Sequence, residues 1–233
     1  IPLSPGQDSE EQAKTLWKAY EFGFRYHDGQ KRLSGKPYFS HCLAVANTLA
    51  SWKMDTTTII AGLLHDTVED TDATIEQITE IFGEDLAGLV DGLTKISEIS
   101  YSSRKEKQAG NFMKMLLSVA QDMRVIIIKF ADRLHNMETL RHMTQIKRHR
   151  IAVETRDIYV PLAHRLGMSS VKSQLEDLVF TVLNPTGYQE MESKIKSSEK
   201  QRQKFIRKVI TPIENELKKF QMAPLIYGRA KSY

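Results

Sequence analysis

The sequence contains a single cysteine, Cys42, among 233 residues. An internal disulfide is therefore excluded, and a reducing cytoplasm is the expected compartment. Long apolar runs are missing too: none approaches the ~20 residues that a membrane span requires. Charge of one sign is scarce, with 33 Lys and Arg against 29 Asp and Glu for a net charge of +4. Such a small, dispersed excess helps attract a polyanionic substrate but does not argue for direct nucleic-acid binding. No signal peptide precedes the first helix, and a chain opening at Ile1 is expected to be a piece of a longer protein. Internal repeats and low-complexity segments are absent. What remains, 41% hydrophobic and 27% charged, is the composition of a globular protein with one sizeable core, or one core and an appendage.

Helical periodicity runs through nearly the whole chain. Ala13, Leu16, Trp17, Tyr20 and Phe24 share one face of a first helix, and the polar segment 28–37 with Gly29 ends it in a loop. A second helix is expected from about Ser40 to Met54, and a third from Thr56 through Val68. Thr74-Ile75-Glu76-Gln77 is a capping box, with Gly83 as the stop of the helix it opens. Further helices are predicted over 84–99 and 107–121. Val125-Ile126-Ile127-Ile128 favours a strand by propensity, but Ile128, Ala131, Leu134 and Leu140 continue at helical spacing, so a helix is expected. Pro161 predicts a kink in the helix after Gln145. Gly167 and Asn184-Pro185 mark further stops, and residues 188–220 read as a charged, exposed helix. The chain is thus all-α.

Chemistry concentrates in four positions: His41, His65, Asp66 and Asp132. Each lies in a stretch that reads as buried helix, where an ionisable group is costly unless paired or bound to a metal. Two imidazoles and two carboxylates without a thiolate suit a hard or borderline divalent ion. Glu69 and Asp70 follow His65 and Asp66 by four residues, which places acid/base groups one helical turn away. Asp132, Asn136 and Thr139 share a face at i, i+4 and i+7. Taken singly, each has a plainer reading. His41 is a hydrogen-bonded core histidine, Asp132 pairs with Arg133, the acidic run 69–72 is a solvated helix end, and Cys42 is a small core residue. His27, His142, His149 and His164 have no acidic partner at helical spacing and are assigned no chemistry. Only the joint pattern favours a metal-dependent hydrolase.

The words around these residues carry a resemblance. They are His27-Asp28-Gly29-Gln30-Lys31-Arg32-Leu33-Ser34-Gly35-Lys36-Pro37-Tyr38, then Gly62-Leu63-Leu64-His65-Asp66-Thr67-Val68-Glu69-Asp70-Thr71, then Lys129-Phe130-Ala131-Asp132-Arg133-Leu134-His135-Asn136-Met137-Glu138-Thr139-Leu140. His…His-Asp…Asp on an all-helical chain resembles the HD-domain phosphohydrolases. The flanking words resemble the hydrolase domain of the Rel/SpoT homologues, which make and degrade the alarmone (p)ppGpp. The likeness is close over about 13–167 and looser beyond, and the closing Tyr227-Gly228-Arg229-Ala230-Lys231-Ser232-Tyr233 resembles the opening of that family's synthetase domain. It implies an HD hydrolase domain over residues 1–150, then a helical connector and a truncated synthetase start over 151–233.

The resemblance further implies that His41, His65, Asp66 and Asp132 hold one Mn²⁺, although ligand type alone also admits Fe²⁺ or Zn²⁺. Glu69 and Asp70 would orient a water and manage its proton. Arg32 would cover the guanine face, Ser34 would lie against the nucleotide, and Asn136 and Thr139 would bond ribose or phosphate. Lys129 is a weaker phosphate candidate whose plain reading is a solvated lysine. The reaction would remove the 3′-pyrophosphate of (p)ppGpp and release GDP or GTP, and the implied partners are the synthetase and regulatory domains of a parent chain. Two positions depart from the family: Leu33 and Glu138 stand where many members carry a basic residue, which is expected to alter affinity rather than chemistry. Two other readings stay open, an HD hydrolase of another nucleotide and a non-catalytic guanine-nucleotide sensor.

Overall fold

The computed structural model describes residues 9–97 and 122–220, together with 222 and 226. The helix expected over 107–121 and the closing Tyr227–Tyr233 motif lie outside the described residues. Among the described residues there is no strand, only an isolated bridge between Lys31 and Pro37. The helices are α1 (Ser9–Tyr26), α2 (Phe39–Ser51), α3 (Thr56–Leu64), α4 (Thr67–Asp70), α5 (Ile75–Phe82), α6 (Glu84–Ser97), α7 (Met123–Glu138), α8 (Gln145–Glu154), α9 (Val160–Arg165), α10 (Ser169–Leu183) and α11 (Pro185–Lys219). The fold is all-α, as the periodicity implies.

Two apolar cores lie side by side and share one helix. The first is built from α1, α2, α3, α5 and α6, with Val125, Ile128 and Ala131 from one face of α7. The second takes Ile126, Phe130, Leu134 and Met137 from another face of α7 and closes over it with α8, α9 and α10. That division explains why Val125-Ile126-Ile127-Ile128 is helix despite its strand propensity. A helix gripped by two cores must be apolar nearly all round, and burial on both sides overrides the intrinsic preference.

Local chemistry sets the ends. Thr74 and Gln77 form both halves of the capping box of α5, and Gly83 at φ +90° supplies the stop. Asp55 caps α3 by accepting from the Thr58 N–H at 2.9 Å. Asp122 caps α7, and Arg124 then bridges Asp122 to Asp85 at 2.7 Å each, tying α7 to α6. Where Pro161 predicts a kink, a π turn over Thr155–Tyr159 precedes it, with the Val160 N–H reaching back to the Thr155 carbonyl. α2 and α3 approach so closely at Gly62 that a Cβ there would stand 2.2 Å from Leu49 Cδ1. This close crossing brings the start of α2 beside the end of α3.

Candidate metal and phosphate site

The third helix does not run on to Val68 as periodicity suggests. α3 stops at Leu64, His65 and Asp66 form a turn with Asp66 at φ −98° and ψ −4°, and a single new turn, α4, follows. Adjacent side chains on an unbroken helix diverge by about 100°. The break instead turns the Asp66 carboxylate back to the His65 ring, with Oδ1 3.1 Å from Nε2. His41, on the first turn of α2, points its Nε2 at Asp132 Oδ1 on α7 (3.2 Å) and at Asp66 Oδ2 (3.6 Å). His65 Nε2 is 3.8 Å from Asp132 Oδ1. Both imidazoles are only 1% exposed. His41, His65, Asp66 and Asp132 are thus brought together from three separate stretches of sequence.

A network of polar side chains surrounds them. Tyr38 places its hydroxyl 2.8 Å from Asp66 Oδ2 and 2.7 Å from Asp70 Oδ2. One hydroxyl has one hydrogen, so it joins the two carboxylates but satisfies only one at a time. His27 is buried and stacks on the Tyr38 ring at 5.1 Å, and its Nδ1 lies 2.8 Å from Gln30 Oε1. Gln30 in turn donates to the Asp70 carbonyl at 2.8 Å. Asn136 donates to Asp132 Oδ1 at 2.5 Å and accepts from Arg32 Nη2 at 3.0 Å. Arg32 also lies over the Tyr38 ring, 5.6 Å from its centroid.

The remaining sequence candidates are dispersed around this centre. Glu69 and Asp70 are exposed on α4, with Asp70 reached through Tyr38. Ser34 sits in the turn closed by Gly35 (φ +80°), and its Oγ accepts from the Lys36 N–H at 3.5 Å within that loop. Thr139 caps the end of α7 and donates to the His135 carbonyl at 2.9 Å. Lys129 is not the solvated lysine that its plain reading supposes: it is 7% exposed, and its charge helps lower the pKa of Asp66 and of Asp132. Arg133 turns away from Asp132 and bonds Tyr159 (2.7 Å) and Glu154 (3.2 Å) in the second core. Two close neighbours, Tyr38 and His135, were not singled out from sequence. Both share a helical face with a candidate, since Tyr38 precedes His41 by three and His135 follows Asp132 by three, and that spacing was the available signal.

The electrostatics is that of two buried carboxylates kept ionised by the positive charge around them. Burial opposes ionisation of Asp66, but His65 first and then His41 and Lys129 hold it well below the usual carboxylate range. Asp132, likewise opposed by burial, is brought to about 2 by its bond to His41 and the charge of His65. Burial alone would depress His65, yet the Asp66 and Asp132 carboxylates outweigh it and raise its pKa to about 9, so a cation bound here would displace the Nε2 proton. Burial lowers the His41 value, while burial with His41 and Arg32 nearby brings His135 down to about 4. Tyr38 is pushed up, by burial and then by the two carboxylates, and stays a donor.

The donor set fits a divalent ion. Ligand atoms of His41, His65 and Asp132 all lie within 4.8 Å of one another. His65 turns its Nδ1 to the Gly62 carbonyl at 2.8 Å, so the buried Nε2, poorly aligned for a hydrogen bond although 3.1 Å from Asp66 Oδ1, is the nitrogen that faces the two carboxylates. Cys42 also approaches His65 and Asp66, but burial pushes its thiol up and keeps it protonated, the state of a core residue. Arg32 Nη1 is a buried donor without a partner, at the rim of the same pocket.

Residues 19–169 match the family model described as HD domain. The chain belongs to the HD domain family. Within that family it goes with the Rel/SpoT homologues. It is 48% identical over 217 residues to a GTP pyrophosphokinase of Myxococcus xanthus, covering 92% of this chain and 29% of that protein. It is 44% identical over 222 residues to the bifunctional (p)ppGpp synthase/hydrolase SpoT of Escherichia coli strain K12, covering 95% of this chain and 32% of that one. The chain therefore spans about a third of the length of these relatives. A solved structure of a metazoan SpoT orthologue that hydrolyses ppGpp superposes with a TM-score of 0.58 at 25% identity, over 79% of this chain and 99% of that one.

Proposed function

We propose that the chain is a metal-dependent (p)ppGpp 3′-pyrophosphohydrolase, which adds water across the bond between the 3′ oxygen and its phosphorus and releases pyrophosphate with GDP or GTP. The observation that carries the reading is the convergence of the buried His41 and His65 Nε2 atoms on the Asp66 and Asp132 carboxylates, with Asp70 joined to the same cluster through Tyr38. Relatives named as this hydrolase, 47% identical in Aquifex aeolicus and 42% in Vibrio cholerae, support the substrate. HD domain hydrolases depend on a metal, and the ion here would be Mn²⁺ held by His41, His65, Asp66 and Asp132. When bound it would supply Lewis-acid neutralisation of phosphoryl charge and a more acidic water.

The protein groups do the rest. Asp70, exposed and fixed by Tyr38 and Gln30, accepts the proton of the attacking water, and Glu69 on the same turn orients it. Lys129, behind the two carboxylates, balances charge as the anionic pyrophosphate arrives. Arg32 stacks on guanine and offers Nη1 to an oxygen, while Ser34, Asn136 and Thr139 line the rim for ribose and phosphate. In a parent chain, residues 151–233 would connect this unit to a synthetase domain, with the compartment cytoplasmic. Among the described residues no helix is long and apolar enough to cross a membrane.

The test is to incubate the protein with ppGpp and Mn²⁺ and resolve the products. GDP and pyrophosphate should appear, vanish with EDTA, and fall by about 10²–10⁴-fold in Asp70→Asn. Nucleotide binding without turnover would replace the hydrolase by a sensor. No binding would return the chain to HD enzymes of other nucleotides.

A further inference from the structure

The two histidines that face the Asp66 and Asp132 carboxylates are held from behind in different ways. His65 turns its Nδ1 to the Gly62 carbonyl at 2.8 Å. A carbonyl only accepts, so that bond puts a hydrogen on Nδ1 and leaves Nε2 as the nitrogen whose lone pair a cation in the cluster would take. His41 has no carbonyl there. Its Nδ1 meets another imidazole nitrogen, Nδ1 of His135, at 2.6 Å, with the ring centroids 4.8 Å apart. Between two neutral rings this contact contains one hydrogen. If His135 holds it, His41 carries its own hydrogen on Nε2 and aims an N–H, not a lone pair, at the ion's place. If His41 holds it, both histidines present lone pairs to the same point.

We propose that His135 is a positioning residue whose Nδ1 accepts from His41 Nδ1–H, fixing His41 in the tautomer that ligates a divalent cation through Nε2. This rests on the metal reading above and adds to it the group that supports the His41 ligand. Placement fits the role. His135 follows Asp132 by three residues on α7, so one helix face delivers both a carboxylate to the cluster and the acceptor behind His41. The neighbouring Asn136 grips Asp132 Oδ1 and Arg32. That face of α7 therefore holds both partners of the His41 ring, Asp132 on one edge and His135 on the other.

The experiment titrates Mn²⁺ into the metal-free chain without nucleotide, by calorimetry and by the electron paramagnetic resonance signal of free Mn²⁺. His135→Phe keeps a flat ring but offers no acceptor, and Mn²⁺ affinity should fall by about 10–100-fold. His135→Asn can put Oδ1 where Nδ1 stood, and should recover most of that loss. Nitrogen NMR of ¹⁵N-histidine-labelled wild type gives a second readout that needs no variant to fold: His41 should be the Nδ1–H tautomer and His135 the Nε2–H tautomer. Equal Mn²⁺ affinity in wild type and His135→Phe, or His41 as the Nε2–H tautomer, overturns the role of His135 and leaves the metal reading standing. A wild type that binds no Mn²⁺ overturns both.

Discussion

Asp132 and Arg133 are neighbours in sequence and belong to different halves of the molecule. Asp132 faces His41 and His65 beside the first core, whereas Arg133 lies over the Tyr159 ring at 4.0 Å and bonds Glu154 in the second. The first half carries the ionisable cluster, and the second half braces the helix that brings Asp132 to it. Charge is concentrated where α7 meets α2 and α3. On the far side of α7, a buried charge is neutralised by an ion pair and an aromatic ring, with Arg133 Nε buried and without a partner.

The sharpest way to break the comparison is to substitute each neighbour in turn. Asp132→Asn keeps the side-chain shape but removes the charge that faces both imidazoles. Turnover should drop by on the order of 10³-fold or more, with a melting temperature close to wild type. Arg133→Met should do the reverse. It leaves Tyr159 and Glu154 without their partner and should cost about 1–3 kcal/mol, while activity per folded molecule stays within a few-fold. Urea unfolding alongside ppGpp hydrolysis checks both. If Arg133→Met abolished turnover without destabilisation, the division between a chemical half and a bracing half would be wrong.

A smaller effect should follow from widening the crossing of α2 and α3. A Cβ at Gly62 meets Leu49 Cδ1, and Leu49 is fully buried and has nowhere to swing. Gly62→Ala should therefore cost about 1–3 kcal/mol through overpacking. Because Gly62 also supplies the carbonyl behind His65, Mn²⁺ affinity should fall with stability. Gly62→Ala combined with Leu49→Ala relieves the clash and should restore affinity more than stability, since the second change leaves a cavity. Equal recovery of the two would separate the crossing from the site.

These positions also show what the sequence could and could not convey. Caps and periodic stripes are local signals, and the capping box at Thr74 and the stop at Gly83 were legible because neighbouring residues alone determine them. The four cluster residues were legible because buried polar groups in apolar helices stand out against composition. The break between Leu64 and Thr67 was not, since no glycine or proline marks it in the sequence. The burial of Lys129 stayed hidden for a related reason: an isolated lysine on a helix reads as solvated until the two cores on either side of α7 are known. His135 and Tyr38 touch their partners across 94 and 28 residues, distances over which periodicity says nothing.

The gentlest probe lies at the rim. Leu33 is 71% exposed in the turn that carries Arg32 and Ser34, a place where a cation would face an incoming polyphosphate. It packs into neither core, so replacing it should leave stability nearly unchanged. Leu33→Lys adds one positive charge near a highly anionic ligand, and an exposed charge of this kind contributes under about 1 kcal/mol in salt. The expected result is a KM for ppGpp lowered about two- to five-fold, with kcat unchanged and the advantage fading as ionic strength rises. A change in kcat instead would mean that this turn moves during the chemical step, and that the chemical half of the molecule extends to the loop as well as the helices.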